Sequence, residues 1–556
     1  MITMKWNRFK NRRAGMSSGF LILMLLLLIG CGDGDNGSNS GGSGGSGGTM
    51  VDAVVFLAQK DDATIDELYV SIDDGTAITV EKLSRTLVSG GQVVDFAVSP
   101  DGRRVAYKAD QQVFGKFELY VVPVEGGTAV NVSRQSTNIL EVRDFAWSFD
   151  STTIAFRAFN PVPNTVGNIE LFTVSSTGGT PVRVSIFPNI DGEVRDFAWA
   201  PNSLLLAYTQ NVILGTPTKF DLFSTRPFRQ DNNQLSNSAG TNSIIATVTE
   251  FAWSPSSSLI AFIAEVETTG INELFVADAS SVGLAPVSLS RTLQDLGEIT
   301  DFAWEPDNFR IAYRADQFLD QRFDLLTVLS DGSQSPILVS NLPNSNSVVR
   351  DFAWAPDSSR IAYIADQDTV GVFELFTNNA VGTSPRKVSN VLISGENVQA
   401  FAWAPDSSLI AYQANQDEVN KFELYTTSPD IDRDFVKVSG TPTSGGLRTI
   451  DAFAWAPDSS RIAYIARQAS TDFELYTSTP AGIVNDAVAP VPLPSGGDVD
   501  SFNWAPDSSR LAYRADQDKT NVPELYSSQP DGMDNMKISG DLVPGGSVAD
   551  NYEWVP

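Results

Sequence analysis

From Thr49 to its last residue the chain repeats itself about every 50 residues, and that period constrains the fold more than any other feature. A clear copy runs from Val349 to Ser389: VRDFAWAPDSSRIAYIADQDTVGVFELFTNNAVGTSPRKVS. Its relatives begin at Asp95, Asp144, Asp196, Glu250, Asp301, Ala400, Ala452 and Ser501. Each unit alternates short apolar-aromatic runs with clusters of Pro, Asp, Ser and Gly, which reads as four β-strands joined by turns. Strand a is DFAW, strand b RIAY, strand c FELY and strand d KVS; nothing has helical period.

The two ends of the repeat region are offset. The DFAW-like run occurs ten times if Asn551-Tyr552-Glu553-Trp554 is included, and that copy has no strand b after it. The RIAY-like run also occurs ten times, the first being Val54 to Ala58, with no strand a before it. The terminal halves complete one unit, as a closed ring requires, so that no sheet edge is left open to aggregate. The fold class expected is all-β: a closed β-propeller of about ten four-stranded blades, its first and last blade shared by N- and C-terminal strands. Two smaller rings are the alternative, but each would need its own latch and only one offset is present.

Trp354 to Tyr363 (WAPDSSRIAY), followed by Ala-Asp-Gln and then by Phe373 to Phe376 (FELF), resembles the W-SPDG-K-IAF repeat of TolB-type propellers. The resemblance covers about 500 residues and implies the propeller fold; for function it implies partners among envelope proteins and peptidoglycan-associated lipoproteins. This chain departs from that family in lacking a separate N-terminal domain and in its longer units.

Residues 1–30 form a basic start followed by an apolar run from Phe20 to Ile29, too short to span about 30 Å of hydrocarbon as a helix. They read as an export signal. Leu28-Ile29-Gly30-Cys31 resembles the lipobox of bacterial lipoproteins, in which Cys31 becomes the acylated first residue. Residues 31–48 are a Gly/Ser-rich flexible tether and residues 49–556 the propeller. The expected address is exported and lipid-anchored, at the outer membrane, on the strength of Gly32 after the lipidated residue.

Composition narrows function. There is no histidine, which excludes Ser-His-Asp and Cys-His catalysis and imidazole-bound zinc, and a single cysteine excludes disulfides within the chain. The net charge is −29, and removal of the leader's five bases leaves 33 bases against 67 acids, about −34; no nucleic-acid partner is expected of such a chain.

A tenfold repeated residue argues for structure and a broken repeat for function. The nine Trp of strand a, Trp147 through Trp554, read as packing between blades, and the carboxylate carried by strand c in all ten copies as a structural hydrogen bond or ion pair. The residue before the strand a aromatic is instead acidic in six consecutive blades (Asp95, Asp144, Asp196, Glu250, Asp301, Asp351) and then Ala400, Ala452, Ser501 and Asn551. These six acids are the candidate binding residues of a channel rim, with Ca²⁺ at Asp144, Asp196 and Asp301 as a candidate ligand; the competing reading has them cap backbone N–H groups. The b–c loop on the same face carries Ala-Asp-Gln at Asp110, Asp316, Asp366 and Asp516, lost at Phe159, Gln210 and Glu265. The longest irregular stretch, Arg226 to Thr247, is a second binding candidate.

The function expected is a non-catalytic binding or scaffold lipoprotein of the bacterial envelope: a monomer whose propeller face holds a protein or glycan and which reaches the membrane through the lipid on Cys31. The alternative is a carboxylate-based glycosidase or polysaccharide lyase, for which the sequence offers many acids and no means of selecting a pair.

Overall fold

The computed structural model describes residues 52–134, 140–160, 168–186, 193–211, 219–236, 245–266, 271–290, 297–343, 345–440, 449–468, 472–490, 493 and 497–556. The leader, Cys31 and the tether lie outside these residues. The described chain forms ten four-stranded antiparallel sheets arranged as a β-propeller. Blade 1 is the latch: Asp52–Ala58, Glu67–Asp73 and Ile78–Lys82 are completed by Val548–Trp554, with Val54 opposite Trp554 and Phe56 opposite Tyr552. Strand a of blades 2 to 10 is Val93–Val98, Glu141–Trp147, Val194–Trp199, Ile245–Trp253, Ile299–Trp304, Val349–Trp354, Val398–Trp403, Ile450–Trp455 and Val499–Trp504. A single ring of ten is therefore correct.

Strand alternation sends successive residues of strands b and c to the two neighbouring blades in turn, Tyr107 toward blade 1 and Ala106 toward blade 3. Between blades, aromatic rings of b and c stack in pairs such as Tyr107 on Tyr120 (5.3 Å) and Tyr412 on Tyr425 (5.4 Å). Blade 6 has Leu326 opposite Tyr313 instead. Each fully buried ring of this size is worth about 1.5–3 kcal/mol. Strand a adds the tryptophans: all nine donate Nε1–H to a strand a carbonyl of the preceding blade, as Trp354 does to Ala303 (3.2 Å) and Trp554 to Asn503 (3.0 Å). They are inter-blade ties as well as packing.

Two faces follow from the strand directions. On one, called the turn face, lie the a–b and c–d connections. The a–b turns place a Ser or Asn at positive φ, and its side-chain oxygen accepts the N–H of a turn residue one blade back: Ser358 from Asp307 (3.1 Å), Ser407 from Asp357 (3.0 Å). The opposite, rim face carries the b–c and d–a connections.

The strand c carboxylates are structural. Glu374 is buried and takes the Lys387 ammonium at 2.8 Å and the Leu392 N–H at 3.0 Å; Glu170 takes Arg183 at 3.0 Å. Asp221 accepts the Ser236 hydroxyl at 2.9 Å, and burial pushes its carboxyl above the usual range, opposed by Ser236, Gln234 and Lys219.

The candidate binding face

The rim is built on a β-bulge in strand a. In blade 7, Val349 faces Ala365 and Asp351 faces Ile364, so two residues, Arg350 and Asp351, oppose one. The same shift recurs in every blade, enlarged in the latch. All six sequence-predicted rim acids occupy the second position of this bulge.

The register explains most of their neighbours. Asp95 faces Lys108, Asp144 faces Arg157 and Asp301 faces Arg314 across to strand b. Asp144 receives the Arg157 Nε at 2.8 Å, Asp301 the Arg314 Nε at 3.1 Å, and Asp196 the Nε of the adjacent Arg195 at 3.2 Å. Asp351 accepts the N–H of Phe352 at 3.0 Å. Burial pushes the Asp196 carboxyl up, opposed by Arg195 and Arg157.

The contrast between an acidic and a neutral arc is weaker than the single-position reading gives. Blades 9 and 10 carry their carboxylate one residue earlier in the bulge, as Asp451 and Asp500, and the latch strand carries Asp550. Asp500 and Asp550 both pair with Arg514, the latter at 2.9 Å. A count restricted to the second bulge position missed these three; the bulge-breaking offset between Val349 and Asp351-type pairs was the signal that could have found them.

The strand b cations also clasp neighbouring blades. Lys108 donates to Arg143 O (2.8 Å), Arg157 to Val194 O (3.0 Å), Arg314 to Val349 O (3.2 Å) and Arg514 to Val548 O (2.8 Å). Gln413 does the same toward Ile450 O (2.7 Å). In blade 4 strand b offers only Thr209, and Arg195 from the bulge reaches Val248 O (2.7 Å) in its place.

The Ala-Asp-Gln loops are likewise internal braces. Asp366 accepts the N–H of Val348 (2.6 Å) across the d–a connection and that of Gly371 (2.9 Å) within its own loop. Asp110 repeats this with Gln92 and Gly115, and Gln111 accepts the Tyr107 hydroxyl at 3.0 Å. Where the motif is lost, the b–c hairpin is extended instead: blade 3 pairs Asn160 with Asn168, and blade 5 pairs Val266 with Ile271. Blades 3 to 5 thus make the rim asymmetric. The Arg226–Thr247 stretch contains a short strand d, Asn233–Gln234, and the start of a strand a at Ile245; residues 237–244 lie outside the described residues.

Among the described residues no group of three or more Asp, Glu, Cys or His is arranged to hold a metal ion. Asp144, Asp196 and Asp301 stand in three separate blades, each against an arginine. The residues present do not fit a shared Ca²⁺ site.

The fold and its two unlike faces define the class as a ten-bladed β-propeller. No family model and no curated protein matches the sequence. Among solved structures the chain is similar to a eukaryotic initiation factor, with TM-score 0.47 and 10% identity over 91% of this chain and 99% of that one. It is also similar to Porphyromonas gingivalis dipeptidyl peptidase 4, with TM-score 0.47 and 12% identity over 78% of this chain and 67% of that one. At such identities the likeness concerns fold alone.

Proposed function

We propose that this chain is a non-catalytic binding or scaffold lipoprotein of the bacterial cell envelope, of the TolB-type repeat class, that presents its rim face to a protein or glycan. It is exported, acylated on Cys31 and held at the outer membrane as a monomer. The observation that carries the reading is the state of the rim carboxylates: Asp144, Asp301 and Asp500 are each engaged by an arginine that also ties blade to blade. A general acid or nucleophile needs a carboxylate that can change its proton or its bond, and these hold the ring together instead.

The position of the tether supports the same use of the rim. Strand b of blade 1 starts at Asp52, where the Val555 N–H donates to Ala53 O at 2.9 Å, which is the turn-face end of the blade. A random coil of the length and Gly/Ser-rich composition of the sequence between Cys31 and Asp52 reaches on the order of 25 Å. An anchor on Cys31 therefore leaves the turn face toward the membrane and the rim toward whatever is bound.

Pull-down from envelope extract and a glycan array, each followed by an assay for released product, test the reading. Binding without turnover is the expected result. Product release that Asp196→Asn abolishes would replace it with the glycosidase or lyase alternative.

A further inference from the structure

The junction of blades 7 and 8 differs from its neighbours. Strand b of blade 7 has Ile364 where blade 6 has Arg314 and blade 8 has Gln413, so no side chain of that row crosses to the next blade. A concavity of about 350 Å³ opens there on the rim, lined by Arg350, Gly371, Phe373, Asn397, Gln399 and Phe422. All six lie in described parts of the chain.

Its chemistry is distinct from the rest of the rim. Arg350 is exposed and, among the described residues, makes no ion pair; its nearest partner is the Phe373 ring, 5.3 Å from guanidinium carbon to centroid. The equivalent bulge arginines are both engaged, Arg143 by Glu141 (3.2 Å) and Arg195 by Asp196 (3.2 Å). Asn397 uses its Oδ1 to accept the Phe373 N–H (2.9 Å), and no bond of its amide nitrogen or of the Gln399 amide is made among the described residues. Phe373 and Phe422 are half-buried, leaving part of each ring to a ligand. Gly371 has φ +78° with open space where a Cβ would be, so the hairpin tip does not close the site.

A guanidinium fork with no carboxylate of its own, two phenyl rings and two free amides match one kind of ligand. The rings pack on a flat apolar face, the amides meet hydroxyls, and the fork takes a carboxylate in two parallel hydrogen bonds. A peptide C-terminus would supply the carboxylate but not the hydroxyls. We propose that this concavity binds a uronic-acid-type residue of an acidic glycan, with Arg350 on its carboxylate. The proposal rests on the reading of the rim as a binding face and names its ligand class.

The test is titration of detergent-solubilised full chain with trigalacturonate and, separately, with neutral galactotriose, at low and at physiological salt. The acidic trisaccharide should saturate, weaken as salt rises, and bind roughly tenfold or more weakly to Arg350→Gln, with Arg143→Gln unchanged. Arg350→Gln should melt as the wild type does, since it breaks no ion pair; Phe422→Leu, which keeps an apolar side chain but removes the ring, should also weaken binding. Equal binding of galactotriose, or binding indifferent to both Arg350→Gln and Phe422→Leu, overturns the proposal. An envelope partner still captured by Arg350→Gln while neither sugar binds removes this inference and leaves the proposed function standing.

Discussion

A Cβ built on Gly102 would lie 2.7 Å from the carbonyl oxygen of Pro556, and Gly102 has φ +69°. Eight other blades put Ser or Asn at this turn position, where its side chain accepts an N–H from the preceding turn. At the latch the preceding turn is replaced by the end of the strand Val548–Trp554, and the space is taken by backbone. Gly102→Ser, which restores the commonest residue of the repeat, should therefore destabilise by on the order of 1–2 kcal/mol through the clash and the left-handed conformation. Thermal unfolding monitored by Trp fluorescence checks it; a variant as stable as the wild type would show that the latch end yields freely.

The strand c carboxylates make opposite predictions in neighbouring contexts. Asp221 lies half-buried against Ser236 with its pKa raised by desolvation. A carboxyl whose folded pKa exceeds its unfolded value contributes stability that is complete below the unfolded value and is lost as pH rises through the folded one. Asp221→Asn should therefore raise the melting temperature at pH 7.5 by on the order of 1 °C in a protein this large, with the gain vanishing near pH 4.

Glu374→Gln should do the reverse at pH 7.5. It takes the buried carboxylate from the Lys387 ammonium, which keeps its second partner Asp368, at a cost of about 1–3 kcal/mol. Equal melting shifts of the two amide variants would mean that the lysine plays no part.

The ring was legible because the repeat reports it many times over and because Val54 to Ala58 and Asn551 to Trp554 are complementary halves. The rim was legible only in part. Period-two counting assigns one outward residue to each step of a strand, whereas the bulge presents two, which is how Asp451 and Asp500 escaped notice beside Ala452 and Ser501. Arg157, Arg314 and Arg514 follow the strand b aromatic in the sequence, but only the register sets the first two opposite Asp144 and Asp301, and the third opposite Ser501 within reach of Asp500. Ala-Asp-Gln read as a loop motif and is a brace, because its partners, the N–H groups of Gln92 and Val348, lie 18 residues earlier in the d–a connection. The concavity at Arg350 was not legible, since an isoleucine in its row recurs at Ile263, Ile364 and Ile465 and does not by itself mark the site.

Calcium should leave the melting temperature unchanged at millimolar concentration, because Asp144, Asp196 and Asp301 already face arginines in separate blades. Asp144→Asn alone should lower it by destabilising the fold by about 1–3 kcal/mol, since Arg157 loses its charged partner while still bound to the Val194 carbonyl. A calcium-dependent rise that disappears when all three aspartates are changed to asparagine would restore the rim as a metal site.

The proposed anchor on Cys31 predicts which face looks at the membrane. Cys31 is the only cysteine of the chain, so a lipidated protein has no other thiol and accepts a single reporter cleanly. Ile483, 83% exposed on a c–d loop of the turn face, and Val419, 42% exposed on a b–c loop of the rim, lie at opposite ends of neighbouring blades. With the chain reconstituted in vesicles containing a headgroup acceptor dye, a donor on Ile483→Cys should transfer energy more efficiently than one on Val419→Cys. Equal transfer from both positions would mean that the wheel tumbles on its leash, and the rim would then meet the bilayer as often as it meets a partner.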